Sequence, residues 1–347
     1  MTKRIVLYIS ESGADKDHVM LHALKEIKDI EVKSMFRLDK AARYFNDSRS
    51  IFDKLFDKLG LPLDRNDFNL RIVEVVKKTS PNYIFIVKGV RIFPKTLQKL
   101  KKNHPSCKLI VWSLDDMYAK HNQTLFYRFG LKYYDLVVTT KSYNCNSNEL
   151  PALGAKKILF QNNSFSPNLH RPCKCSEKQT YNHDVIFIGT AEEERAKAIY
   201  FIANNGIKVH VYGTHWDSKI YYKYHHDNII FHNKELIGPD YRRAISCSKI
   251  CLSFLRKINR DVQTARTVEI PACGGFMIGE RTIEQSSLFK EGFEAEYFST
   301  NPELLQKVRY YLNNELQRSK IAKNARNRCL ASGYSFVERA KEILNFI

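Results

Sequence analysis

The stretch TARTVEIPACGGFMIGERT at 264–282 sets two charged side chains, Arg266 and Glu269, into an otherwise apolar segment that runs on to Gly274 and Gly275. On a helix Arg266, Glu269, Ile270 and Cys273 are related by steps of three and four, so they share one face. Pro271 limits the extent of a regular helix, because it lacks an N–H and crowds the preceding turn. A carboxylate offers two acceptor oxygens and the vicinal hydroxyls of a ribose offer two donors, so a glutamate beside a Gly-Gly strand entry suits bidentate ribose recognition. An Arg266–Glu269 ion pair on a solvated helix face accounts for the same spacing equally well.

Two other places could do chemistry. In VIFIGTAEEER at 185–195, Gly189 lets the backbone turn tightly between a strand and a helix whose free N–H groups and positive dipole end favour an anionic phosphate. The three glutamates that follow also complement that dipole, and Arg195 reads either as a diphosphate partner or as a surface arginine. In KLIVWSLDD at 108–116, Asp115 and Asp116 end an apolar strand and His121 follows on the next segment. One of the three can serve as general base toward an acceptor hydroxyl, or the aspartates cap the next helix. Cys173, Cys175, His170 and His183 match no standard zinc spacing, so a linker with two free cysteines is the better reading.

The elements that must position these residues alternate along the whole chain. Apolar β-branched runs at 4–10, 30–36, 83–89, 108–116, 135–140 and 157–161 are separated by helical patterns such as 17–28 and 66–79. The passage 162–184 then shows two prolines and no periodicity. A second series follows, with strands at 185–190, 208–213, 229–233, 249–254, 275–280 and 295–299, and helices near 191–204, 239–248, 264–273, 301–313, 315–330 and 335–346. This predicts α/β architecture in two doubly wound domains facing across a cleft, with ligands beyond the carboxyl ends of parallel strands. The expected division is 1–168 for the acceptor, a linker at 169–183, 184–334 for the donor, and a last helix at 335–347 packing back toward the first domain.

Length and composition agree with two globular domains: 347 residues, 44% hydrophobic and 12% aromatic. No apolar run approaches the ~20 residues of a spanning helix, and the N-terminus has no signal-peptide shape, so a cytoplasmic location is expected. Eight scattered cysteines fit reduced thiols. The net charge is +19, with 29 basic and 17 acidic residues in 1–170, and nine Lys or Arg without one acid between Glu74 and Asp115. Such a face is either a solvated lysine-rich surface or the seat of an anionic partner: a membrane surface, a charged acceptor or nucleic acid.

The pieces IFIGTAEEER, VHVYGTHW, YRRAISCSKICLSFLRKINRD, TARTVEIPACGGFMIGERT, LFKEGFEAEYF, ELLQKVRYYL and YSFVERA occur in that order over 183–339. Through them the chain resembles the CgeB-type (spore maturation protein) glycosyltransferases of the GT-B group, which use activated nucleotide donors. The resemblance implies a glycosyltransferase taking a nucleoside-diphosphate sugar, with Asp261 and Glu269, eight positions apart, flanking the donor: the first reaches the sugar and the second the ribose. Gly189, Arg195, Arg260, Arg266, Gly274 and Gly275 complete the donor set, and Asp115, Asp116 and His121 the acceptor side. Asp261 and Arg266 from the stretch 183–339, and Asp116 from its place at the end of the apolar strand at 108–116, are the expected catalytic residues.

The second half contains no DxD-like motif, so the expectation is a retaining, metal-independent enzyme without cofactors. Arg195, Arg256, Lys257, Arg260 and Arg266 then meet the charge that builds on the leaving diphosphate. A glycan or lipid-linked acceptor at the inner face of the membrane is the first choice. Transfer to modified DNA bases, as in phage enzymes, and a non-catalytic nucleotide-sugar-binding protein are the alternatives.

Overall fold

A computed structural model describes residues 3–11, 18–37, 50–64, 66–173 and 181–347. The chain divides into two compact units, residues 1–162 with 336–347, and residues 163–335.

The first unit is built on β1 (Arg4–Ser10), β2 (Ile30–Phe36), β3 (Tyr83–Val87), β4 (Lys108–Ser113), β5 (Leu136–Thr139) and β6 (Ile158–Phe160). They form one parallel sheet in the order β2-β1-β3-β4-β5-β6. Both faces are covered, which is why β1 reads as a continuous apolar run and Val6, Leu7, Tyr8 and Ile9 are all buried. One face packs on α3 (Phe68–Thr79) and α4 (Pro94–Asn103) through Phe68, Ile72, Val76, Leu97 and Leu100. The other packs on α1 (Val19–Lys25) and α12 (Phe336–Phe346), with Phe336 edge-on to Trp112 and Ala340 and Ile343 wholly buried. Two short helices, α2 (Ile51–Lys58) and α5 (Leu125–Gly130), also belong to this unit.

The second unit repeats the plan with β7 (Val185–Ile188), β8 (Val209–Tyr212), β9 (Ile229–Phe231), β10 (Ile250–Ser253), β11 (Met277–Glu280) and β12 (Glu296–Phe298), all parallel, in the order β12-β11-β10-β7-β8-β9. Its helices are α6 (Glu193–Asn204), α7 (Gly238–Cys247), α8 (Ala265–Ala272), α9 (Ile283–Leu288), α10 (Asn301–Asn313) and α11 (Glu315–Ala331). Strand order reverses between β1 and β3 in the first sheet and between β7 and β10 in the second. In doubly wound sheets such switch points open a crevice at the carboxyl ends of the strands, and ligands bind there. No helix among the described residues is long and apolar enough to cross a membrane. Of the sequence expectations, the linker segment 174–180, with Cys175, falls outside the described residues.

Candidate active site

At the switch point of the second sheet, the loop after β7 meets the loop after β10. Gly189 sits directly past β7, and a Cβ there would approach the Phe187 ring to 2.7 Å. Gly213, past β8 with φ 134°, is under a stricter constraint, since its added Cβ would fall 2.1 Å from the Gly189 carbonyl oxygen. Only glycine lets these two turns approach so closely. The indole of Trp216 then donates to the same Gly189 carbonyl at 2.8 Å and fixes the turn.

Three guanidinium groups gather around it. Arg195, on α6 and almost completely buried, donates from Nη1 to the Thr190 carbonyl at 2.9 Å, while its Nε has no hydrogen-bond partner. Burial lowers Arg195 from its ordinary value to about 10; Glu192 opposes the shift, and Arg266 and Arg256 add to it. The side chain therefore stays charged at neutral pH. Arg266, in the first turn of α8, reaches back to the end of β7 and donates from Nε to the Ile188 carbonyl at 2.5 Å. Arg256 is held by Glu192, Nε to Oε1 at 2.9 Å. Glu192 Oε2 lies 4.0 Å from the Arg195 Nε, a counter-charge too far for a hydrogen bond, so the buried N–H stays unsatisfied and one carboxylate faces three guanidinium groups.

Glu269 lies one turn further along α8. Its Oε2 accepts from the Tyr241 hydroxyl at 2.7 Å, and its Oε1 lies 3.7 Å from His170 Nε2. The Ser166 amide donates to His170 Nδ1 at 3.1 Å, so in the neutral ring the proton sits on Nε2 and faces the carboxylate. Burial, with Glu269 alongside, pushes the Tyr241 phenol well above its ordinary value, and it remains a donor. Glu269 is thus oriented from α7 and from the segment ahead of β7. It does not pair with Arg266, whose Nε is directed to β7 instead.

The loop carrying Asp261 is pinned from beneath. Gln263, wholly buried, accepts from the Asn163 amide at 3.0 Å and donates to Glu284 at 2.7 Å, while the Thr282 hydroxyl holds the Val262 carbonyl at 2.6 Å. Asp261 itself donates its amide to the Arg256 carbonyl at 3.1 Å, and its charge is felt at Arg195. Arg260 adopts φ 49°, the left-handed region, with its side chain exposed. Lys257 is ion-paired with Glu280.

Two expectations for the donor set are corrected. Gly274 and Gly275 stand at the amino end of β11, the opposite edge of the sheet from Gly189. Their missing Cβ atoms leave room for Pro172 and Ile245, at 3.2 and 2.6 Å, so they serve the turn from α8 into β11 and its packing.

The first sheet has its own switch point, between β1 and β3. Asp115 forms an ion pair with Lys88 at 2.7 Å, and His121 is exposed. Asp116 is corrected: it is completely buried, and its Oδ1 accepts from the Tyr118 and Ala119 amides and from Asn144 Nδ2 at 2.8 Å. It caps the turn after β4 and is closed to an acceptor.

The sequence reading passed over Glu11, one residue beyond β1. Its Oε1 accepts the Arg91 amide at 2.7 Å, and burial raises its carboxyl above the ordinary value against the pull of Arg91, Arg37 and Lys88. Lys88 and Gly89, both at positive φ, form the facing turn after β3. An acid directly after the first strand was the available signal. The sequence weighed His170 only as a metal ligand and gave Tyr241 no role; both reach Glu269 through tertiary packing.

Residues 195–345 match the family model described as glycosyl transferase-like. No curated protein sequence matches the chain. Among solved structures it is similar to Anabaena Alr3699/HepE in complex with UDP and glucose, at 12% identity and TM-score 0.64 over 99% of each chain. It is also similar to sucrose-phosphate synthase from Thermosynechococcus elongatus, at 12% identity and TM-score 0.67 over 99% of this chain and 98% of that one. A glycosyltransferase from Rickettsia africae aligns at 12% identity and TM-score 0.65, over 100% and 98%. Identities this low speak for the fold, which is GT-B with two Rossmann-like domains. The glycosyl transferase-like domain, carried on a GT-B fold, makes the protein a glycosyltransferase.

Proposed function

We propose that the protein transfers a sugar from a uridine-diphosphate sugar to an envelope or surface glycan precursor, by a retaining, metal-independent mechanism of the CgeB type. The observation that carries the donor reading is the cluster of Arg195, Arg266 and Arg256 at the end of β7, with Glu192 as the one carboxylate against Arg195 and Arg256 and no hydrogen bond to the buried Arg195 Nε. That site asks for a multiply charged anion, and Glu269, held by Tyr241, supplies the acceptor for ribose hydroxyls nearby on α8. Uridine is favoured because the similar Anabaena structures hold UDP and UDP-glucose.

In this reading charge builds on the diphosphate as the bond to the sugar breaks, and fixed guanidinium groups that meet it in the transition state lower the barrier without a divalent cation. Arg195 is already oriented by Thr190, so little reorganisation accompanies the reaction. Asp261 faces the sugar, and Arg260 lines the same loop. On the acceptor side the exposed His121, Asp115 beside Lys88 and the part-buried Glu11 past β1 are the candidate groups for a hydroxyl.

The experiment is release of UDP from UDP-sugars with chelator present, and the anomeric configuration of the product by NMR. Turnover in the chelator with a retained anomeric centre is the expected result. Dependence on added Mg2+ or Mn2+ contradicts the metal-independent step, and an inverted product contradicts retention.

A further inference from the structure

Three histidines that the donor reading does not use come together at the outer part of the second sheet: His183 just ahead of β7, His210 in β8 and His232 just past β9. β8 and β9 run in parallel register, with His210 opposite Ile230 and Val211 opposite Phe231. Side chains alternate along a strand, so His210, Tyr212 and His232 fall on one face. The His183 and His210 rings stack at 3.7 Å, and His232 stacks on Tyr212 at 4.0 Å. His210 Nδ1 and His232 Nε2 are 3.1 Å apart. One ligand nitrogen from each of the three lies within 4.8 Å of the other two.

Two imidazole nitrogens at 3.1 Å must share a proton or a cation, because two lone pairs facing each other repel. Burial, together with His210 and His232 alongside, lowers His183 to about 4, and burial lowers His210 and His232 also. The neutral rings keep lone pairs for a metal. A tetrahedral zinc with ligands at about 2.0–2.1 Å holds its nitrogens roughly 3.4 Å apart, close to the shorter separation here and reached by ring rotation for the rest. The Tyr212 hydroxyl, 3.0 Å from His183 Nε2, is the kind of outer partner that fixes a ligating ring. Lys208 and Lys234 bear on His210 and His232 unfavourably, while Asp184 draws His210 the other way. The surroundings therefore offer nitrogen donors without a carboxylate cage, which disfavours magnesium and calcium and suits a borderline transition metal.

We propose that His183, His210 and His232 form a binding site for a divalent transition cation of the zinc class, tying the segment that enters β7 to β8 and β9. The site shares no residue with the donor set and has no part in the transfer step.

The test uses the untagged full-length protein, stripped with chelator and titrated with Co2+ by visible absorption, with Zn2+ as competitor. One equivalent of Co2+ with nitrogen-ligand d–d bands, displaced by Zn2+, is expected. Replacing His232→Ala should weaken uptake tenfold or more, and His183→Gln likewise, while the exposed control His225→Ala leaves it unchanged. In the wild type, Zn2+ should shift the ring resonances of three histidines. Absence of stoichiometric Co2+ uptake by the wild type overturns the site, and so does equal weakening by His225→Ala. If the three rings only share a proton, their resonances stay in place when Zn2+ is added, and the proposal fails.

Discussion

Arg195 and Glu269 illustrate how single side chains carry the donor reading. A charged partner of a ribose hydroxyl contributes ~1.5–3 kcal/mol, so Glu269→Gln should weaken nucleoside-diphosphate binding roughly tenfold to hundredfold. The Gln variant can still accept from Tyr241, so its fold should be preserved. Tyr241→Phe removes the donor that orients the carboxylate, and we expect it to cost about 1–2 kcal/mol of stability and to weaken the donor less than Glu269→Gln; denaturant melts and calorimetric titration separate the two. Arg195→Met removes a buried charge that has an unsatisfied N–H. It should leave the apo protein as stable as the wild type, or more so, while lowering diphosphate affinity tenfold or more. A loss of stability with unchanged affinity would make Arg195 a structural residue.

At the scale of elements, the turns after β7 and β8 hold the site open. Gly213→Ala would drive a Cβ into the Gly189 carbonyl, and we expect a loss of about 3 kcal/mol or failure to fold, read by thermal denaturation. Further along the sheet, Arg281 binds Glu291, Glu303 and the Tyr297 carbonyl, joining β11 to β12 and α10. The hydrogen bond from Arg281 lowers Glu303 from 4.5 to about 2. A depressed carboxylate stabilises the fold above its unfolded value and loses that contribution as pH falls through its folded value. Arg281→Met should therefore cost about 1 kcal/mol at pH 7, allowing for solvent screening, and the gap to wild type should narrow between about pH 4.5 and 2.

The central strands among the described residues were legible because parallel strands covered on both faces read as unbroken apolar runs, as VIFI at 185–188 does, while the edge strand IEVKSMF at 30–36 shows an interrupted pattern. The short helix α9 was not legible, since a segment such as IEQSSL carries too little periodicity over six residues; α2 was passed over although Ser50 and Asp53 form a capping box at its start. For the site, spacing marked Arg266 and Glu269. Their partners, Ile188 and Tyr241, are 78 and 28 residues away, beyond what any local pattern encodes. The apparent Gly-Gly signal at 274–275 belonged to packing because a turn into a strand and a ligand cradle place the same demand on the backbone.

For the whole molecule, the net charge of +19 is the feature least explained by the fold. In the first unit Lys88, Arg91 and Lys101 of the basic stretch are neutralised by Asp115, Asp57 and Asp135. Lys77 and Lys78 on α3 and Lys95, Lys99 and Lys102 on α4 remain exposed on neighbouring helices. We propose that these lysines draw the enzyme to an anionic membrane where its acceptor resides. Binding to anionic vesicles should fall steeply between 0.1 and 1 M salt, as the Debye length shrinks from ~10 to ~3 Å, and should be weakened by replacing Lys95, Lys99 and Lys102 with Gln. Retention on duplex DNA with no affinity for such vesicles would instead favour a nucleic-acid acceptor.

The most direct test of the central claim is the melting temperature of the purified protein with UDP, GDP, ADP, CDP and dTDP, repeated on Glu269→Gln. A ligand that binds only the native state raises stability with the logarithm of its saturation. We predict a rise with UDP that the variant largely loses. A UDP-induced rise that is equal in the variant would contradict the ribose role of Glu269, and no rise with any of the five would contradict a nucleoside-diphosphate site at the end of β7.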